Sequence, residues 1–403
     1  MHTDLDPSID RQGADRLTSR RAALQFLGLS AGAVAVAGSG GLTWLASTGG
    51  VFSTGTGAAY AAWSDASPNG DPVNLIRAAI LAANAHNTQP WLFTVTDDRI
   101  ELHADMSRTT GAMDPLLREM HISLGCAVEN LTLAGPSNGI ATAVTLLSDP
   151  ADATHIATIA LTPVPATRST LFDVIADRHT NRSVYDTSRP VSAAQRDTLS
   201  ALVDVPGTQL VWFSTATEKR AFGDLTIRAT KAIIADPQQA ADDFRWYRSD
   251  WHDIQSDKDG ITIDPSGQSP LIRAVSKLLP TTQKQANDGW LTGTRDTQLP
   301  TAAAFGAIVV TDPRDNLQRL RVGRIWQRMH LTATAAGLAM QPLCQIPERI
   351  DREASANLPP DFTTAMAALL PTGTHPVMTF RVGYPTAAAP LSPRRPATDV
   401  IHA

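Results

Sequence analysis

The chain has 403 residues, 43% of them hydrophobic, a net charge of −5 and two cysteines. That length fits two fused domains of ~170 residues behind a leader better than one ordinary domain. The mild charge argues against a nucleic-acid partner, and two cysteines, Cys126 and Cys344, exclude a disulfide scaffold and a Cys-rich zinc site. Buried free thiols are expected, and nothing in the spacing argues for a bridge between them.

Residues 1–18 are polar and turn-rich, and Thr18-Ser19-Arg20-Arg21-Ala22-Ala23-Leu24 follows. Two adjacent arginines before the weakly apolar, glycine-interrupted run 24–46 read as a twin-arginine export signal. Small-x-small cleavage chemistry lies around Ala59-Tyr60-Ala61, with an uncleaved membrane anchor at 24–46 as the alternative. The chain is therefore expected in the periplasm, cell envelope or outside the cell, touching membrane only through this segment. Such export routes carry folded proteins, often with a cofactor in place.

The organisation expected is a leader and linker over 1–62, a first half over 63–165 and a second over 166–403. Apolar spacing predicts a helix over 71–82, strands over 91–96 and 99–104, a helix over 114–136 and strands over 140–148 and 154–162. Helices over 167–178 and 192–203 come next, then a strand over 209–214 and a helix over 217–235. A strand over 305–311, a helix over 314–336 and a last strand over 376–383 complete an α+β chain.

A faint duplication runs through this series. Gly125 and Gly139 stand 14 residues apart, as do Gly323 and Gly337, each pair enclosing apolar residues at helical spacing. The first glycine of each pair lets helices approach closely, and the second suits a left-handed C′ position. Gln89 and Gln209 open matching strands, 36 residues before Gly125 and 114 before Gly323, so the second copy holds an insertion of about 78 residues between 217 and 300. Phe244-Arg245-Trp246-Tyr247 and Trp251 give it the character of a lid (236–300) over a pocket, with a plain surface excursion as the alternative. Asp257-Lys258-Asp259-Gly260 reads as a turn, because Gln255 and Ser266 stand where a calcium loop needs acidic ligands.

No G-x-G-x-x-G after a strand, P-loop, H-E-x-x-H or G-x-S-x-G is present, and the histidines show no metal-ligand spacing. Three polar clusters remain. Asn84, Ala85, Asn87 and Gln89 lie in the loop before Pro90-Trp91, where side-chain amides could meet a flat heterocycle or merely cap a turn. Arg178, Thr180 and Arg182 offer guanidinium forks suited to phosphate, or a solvated helix end. Arg394 and Arg395 follow Gly383-Tyr384-Pro385, in a place where tails often carry stray arginines.

These clusters resemble the nitroreductase superfamily. Ala83 to Trp91 is similar to its P-S-S-x-N-x-Q-P-W loop, and Arg178-His179-Thr180-Asn181-Arg182 to its R-x-S-x-R element. Gly323 to Pro342 resembles its flavin-side helix and turn, and Gly383-Tyr384-Pro385 with Arg394-Arg395-Pro396 its closing strand and phosphate-binding arginine. The order is inverted relative to the family's usual chain, since the arginine element here follows the Asn-rich loop. That layout resembles the Acg subfamily, in which one chain imitates the usual dimer and a lid covers the flavin.

The resemblance implies a nitroreductase-like fold of two fused half-repeats with a lid insertion, binding one FMN as a monomer. It implies Arg178, Thr180 and Arg182 at the ribityl-phosphate and O2 region, and Asn84, Ala85, Asn87 and Gln89 in the loop that faces the ring. Gln341, Pro342 and Leu343 would stand on the N5 side, with Arg394, then Arg395, at the phosphate. No catalytic acid or base is expected. Two functions follow: an oxidoreductase passing electrons from reduced flavin, charged by NAD(P)H or another donor, to a nitroaromatic or quinone; or a non-catalytic protein that sequesters FMN beneath its lid.

Overall fold

The computed structural model describes residues 50, 53–65, 70–268, 270–278 and 280–402. Arg20-Arg21 and the apolar run 24–46 lie outside the described residues. The first half holds α1 (Val73–Ala79), β1 (Trp91–Val95), β2 (Arg99–Ala104), α2 (Arg118–Ser137), β3 (Ile140–Leu146) and β4 (His155–Pro163). The second opens with α3 (Ala193–Ser200) and β5 (Thr208–Phe213). It resumes with β8 (Ala304–Val310), α9 (Asn316–Ala335), β9 (Ala339–Pro342), α10 (Gln345–Ala356), α11 (Asp361–Ala367), β10 (His375–Gly383) and β11 (Ile401–His402).

The duplication seen in the sequence is a duplication of topology. One sheet runs β11-β1-β2-β4-β3 and the other β5-β8-β10-β9, so β1, β2, β3 and β4 correspond to β5, β8, β9 and β10 in order. All three pairings within each set of four are antiparallel. The extra strand β11 comes from the far end of the chain and lies parallel to β1 (Phe93 opposite Ile401), tying the second half to the first.

The helices α2 and α9 cross at the repeat glycines. A Cβ added at Gly125 would stand 2.1 Å from the carbonyl oxygen of Leu320, and one at Gly323 2.1 Å from that of Ile122. Only a residue with no side chain permits this reciprocal approach. Around the crossing, Glu129 receives Arg324 at 2.8 Å and Arg328 at 2.7 Å. The second glycines of the repeat, Gly139 and Gly337, take φ of 69° and 71°, as left-handed C′ residues do.

The second copy departs from the first between β5 and β8. Where β1 and β2 are joined by residues 96–98, residues 214–303 intervene here, slightly more than the expected 217–300. This connection contains α4 (Ala216–Ala235), α5 (Pro237–Phe244), β6 (Tyr247–Arg248), α6 (Trp251–Asp257), β7 (Ile261–Thr262), α7 (Pro270–Leu278) and α8 (Gln283–Gly293). The turn at 257–260 is as expected: Lys258 has φ 55°, and Asp259 is held by Arg108 and Arg248.

Two expectations need correction. Residues 167–178 form no helix beyond a 3-10 turn, Phe172–Val174; the Ser169 hydroxyl accepts the Phe172 N–H and diverts the local hydrogen bonds. Residues 339–342, expected as a turn, are strand β9 on the edge of the second sheet. Ala59-Tyr60-Ala61 lies in the partly buried 3-10 helix Ala58–Ser64, whose Ala59 carbonyl accepts the Arg394 N–H. Cys126 and Cys344 are both free.

Candidate functional site

A cavity of about 450 Å³ lies between the halves and the 214–303 connection, a size ordinary for a cofactor or small-ligand site. Ala83–His86 of the first half line it, with Glu119, Ile122 and Ser123 of α2; Thr180, Arg182, Trp326, Gln341 and Pro342 come from the second half. The connection closes the remaining side with Asp243, Tyr247, Ile261–Ile263, Gln285, Trp290 and Gln298. A smaller recess of about 60 Å³ shares Asn84, Thr180 and Arg182 with it and adds Asn87, Arg178, Ser392 and Arg394.

The recess is a concentration of positive charge without a counter-ion. Arg178 and Arg394 are 2% and 3% exposed. Arg178 donates from Nη2 to the Leu81 carbonyl at 2.9 Å, while its Nε and that of Arg394 have no partner. Arg394 Nη1 donates to the Ser392 hydroxyl at 2.8 Å and the Pro393 carbonyl at 2.9 Å, and its guanidinium stands 4.9 Å from the Trp63 ring centre. Burial pushes Arg178 down to about 10, with Cys126 the sole opposing influence; Arg182 and Arg394 are lowered by the same cause. Burial, then Arg178 and Arg394, pushes the neighbouring His179 down to about 3, which keeps it neutral. Arginine does not give up its proton, so burial leaves a charge here that a bound anion would compensate. Among the described residues no carboxylate pairs with Arg178, Arg182 or Arg394. Buried guanidiniums otherwise find one.

The loop over 84–89 is held in a costly shape. His86, Asn87 and Gln89 take φ of 50°, 54° and 53°, a left-handed conformation costing ~1 kcal/mol or more at each. Asn84 Oδ1 accepts the Gln89 N–H at 2.9 Å, the Ser123 hydroxyl accepts the Ala85 N–H at 3.0 Å, and Gln327 Oε1 accepts the Ala83 N–H at 3.1 Å. Gln327 in turn donates to Asn130 at 2.8 Å, so the helix crossing itself sets where the loop starts. From the connection, Asp243 Oδ1 meets His86 Nε2 at 2.8 Å. That hydrogen bond and the Asp243 charge raise the imidazole's pKa against the opposing effect of burial, the largest single influence.

The predicted residues divide into three groups. Asn84, Ala85, Thr180, Arg182, Gln341 and Pro342 line the large cavity; Asn84, Thr180 and Arg182 also line the recess, with Asn87, Arg178 and Arg394. Asn87 is committed to protein, donating from Nδ2 to the Pro393 carbonyl at 2.9 Å. Gln341 is likewise clamped, donating to Gln298 at 2.9 Å and accepting from Arg381 at 2.7 Å.

Gln89, Leu343 and Arg395 line neither space. Gln89 is fully buried, donates to the Lys258 carbonyl at 2.8 Å and accepts the Arg395 N–H at 2.8 Å, so it bolts the loop to the connection. Leu343 packs in the apolar cluster behind the second sheet, and Arg395 donates to the Asp399 carbonyl at 2.8 Å. Sequence reasoning missed Ser123, Gln327, Glu119, Glu348, Gln298 and Arg381. It also passed over His86 and His179, which lie inside the quoted motifs and were the ones such a signal could have found.

No family model matches the chain. It is 28% identical over 336 residues to a Mycobacterium tuberculosis H37Rv protein named "Putative NAD(P)H nitroreductase Rv3131", covering 80% of this chain and 88% of the relative. It is 25% identical over 336 residues to "Putative NAD(P)H nitroreductase acg" of the same organism, covering 81% and 94%. Among solved structures, a nitroreductase with bound FMN from Bacteroides fragilis gives a TM-score of 0.34 at 13% identity, covering 57% of this chain and 95% of that one. The two curated relatives support assignment of the chain to the nitroreductase superfamily and, within it, to the Acg-like proteins.

Proposed function

We propose that the chain binds one FMN and acts as an oxidoreductase, accepting electrons from NAD(P)H or another donor and passing them to a nitroaromatic or quinone. The observation that carries the reading is the counter-ion-free recess of Arg178, Arg182 and Arg394 opening beside a cavity of cofactor size. The residues present fit the group. Arg178, Arg182 and Arg394 would hold its phosphate, and Asn84, Ala85, Thr180 and the wall at Gln341-Pro342 would meet its ring system. When bound, the flavin supplies the two-electron chemistry, and the protein orients it and excludes water. Both sides of the site come from one chain, which supports action as a monomer. An export signal at Arg20-Arg21 would place this chemistry outside the cytoplasm, where NAD(P)H is scarce.

A second reading has an observation of its own. The connection supplies a whole side of the cavity, from Asp243 to Gln298. Such a lid would deny nicotinamide access to the flavin and make the protein a store for FMN.

Purification and a visible spectrum test the first step: a flavin band, or its appearance on adding FMN, is expected, and its absence overturns the reading. Anaerobic mixing with NADPH separates the two functions. Bleaching of the flavin band supports the reductase, and an unbleached flavin that dithionite does reduce supports the store.

A further inference from the structure

Two carboxyl side chains, Glu119 of α2 and Glu348 of α10, line the large cavity and not the arginine recess. Each is 6% exposed. Their carboxyl groups lie within hydrogen-bonding reach of one another, a contact that is favourable only when one of them carries a proton. Glu348 Oε2 is buried and has no partner.

The surroundings cannot neutralise two negative charges. Among the described residues two cationic groups act on the pair: His86, on Glu119, is itself bonded to Asp243, and Arg118 is already committed, its Nε 2.6 Å from Asp351 and its Nη1 donating to the Val377 carbonyl at 2.8 Å, leaving a long 3.5 Å contact to Glu119. Asp114 adds a further buried carboxyl beside Glu119, and Asp243 faces Glu348 from the connection, itself paired with His86. Carboxyls thus outnumber cations, and in a low dielectric like charges this close do not both ionise. Burial first, then Glu119, raises Glu348 far above the usual carboxylate range.

We propose that Glu119 and Glu348 share one proton in the cavity wall and that Glu348 delivers it to the oxygen of a quinone-type acceptor, an inference that rests on the flavin reading above. A flavin held by Arg178, Arg182 and Arg394, once reduced by a nicotinamide or dithionite, would supply the hydride that converts the quinone to the hydroquinone monoanion. The Glu348 O–H bond then breaks and a new O–H bond forms on that anionic oxygen, yielding the hydroquinone. The pair is left as two carboxylates and regains a proton from solvent. Such a site favours neutral acceptors whose reduction ends in an O–H bond.

The test uses the full chain loaded with FMN, as wild type, Glu348→Gln and Glu119→Gln. Infrared spectra at pH 7 should show a protonated-carboxyl band that Glu348→Gln removes; no lost band overturns the shared proton. With dithionite-reduced protein, Glu348→Gln should lower 1,4-benzoquinone reduction relative to ferricyanide reduction, which takes up no proton, by a factor of ~10 or more. An unchanged ratio overturns the delivery. Should Glu348→Gln fail to fold, Glu119→Gln decides. Losing the neighbouring carboxyl should shift the alkaline limb of the quinone profile to lower pH, and an unmoved limb overturns the pairing. Reduction of neither acceptor overturns delivery and oxidoreductase activity together, while the infrared band still confirms or overturns the shared proton.

Discussion

Replacing Arg178 with Met tests the anion recess, because the apo and flavin-bound proteins should respond with opposite signs. In the apo protein the guanidinium is buried, its Nε is unpartnered, and its Nη2 donates to the Leu81 carbonyl at 2.9 Å. Met keeps most of the volume and removes an uncompensated cation at the cost of one unpaired carbonyl, about 1–3 kcal/mol. Relief of the buried charge offsets that, as replacement of buried ions by apolar residues often does. Apo stability should therefore be unchanged or higher. With FMN present, the variant lacks a charge-assisted bond to phosphate worth about 1.5–3 kcal/mol, which raises the Kd about 10- to 150-fold.

The assay is a flavin-fluorescence titration of both proteins with FMN and with riboflavin, plus thermal unfolding of each apo protein. Riboflavin has no phosphate, so its affinity should change by less than about threefold. Equal weakening of FMN and riboflavin, or a large fall in apo stability, would refute the argument that Arg178 waits for an anion.

Gly125→Ala and Gly323→Ala each drive a methyl to 2.1 Å from a backbone carbonyl of the other helix, so each should cost about 3 kcal/mol or more in chemical denaturation; a near-wild-type midpoint would contradict the close crossing. Gln327→Leu strips the Ala83 N–H and the Asn130 side-chain Oδ1 of their partners and should cost about 1–3 kcal/mol, with weaker FMN retention because the loop loses its anchor; unaltered retention would count against that coupling. The His86 pKa is raised in the folded state, chiefly by its bond to Asp243 acting against burial. Its contribution is therefore fully present below the unfolded value near 6.5 and is lost as pH rises through the raised folded value. Thermal unfolding of Asp243→Asn against pH should be flatter than wild type across that window, and parallel curves would exclude the pair as the source.

Much of the frame is legible in the sequence because it is encoded locally. Apolar spacing marks α2 and α9 to within a turn, and the glycines 14 residues apart carry both the close crossing and the two left-handed C′ turns. The sequence also brings Arg178 and Arg182 under suspicion, since guanidinium forks suit phosphate whatever the fold, while Arg394 is singled out only by the resemblance to the nitroreductase superfamily.

Local pattern fails where a residue's role depends on what it meets from elsewhere in the chain. Gln89 and Arg395 look like ligand contacts, but their polar atoms are spent on Lys258, Asp399 and each other. Glu119 and Glu348 look like ordinary helix-surface acids until α2 and α10 press them together beside an already committed Arg118. Tertiary structure alone decides which arginines lack a counter-ion and which carboxyls must share a proton. Both follow from burial and from what other segments of the chain bring or fail to bring, and neither is written in the spacing of any one segment.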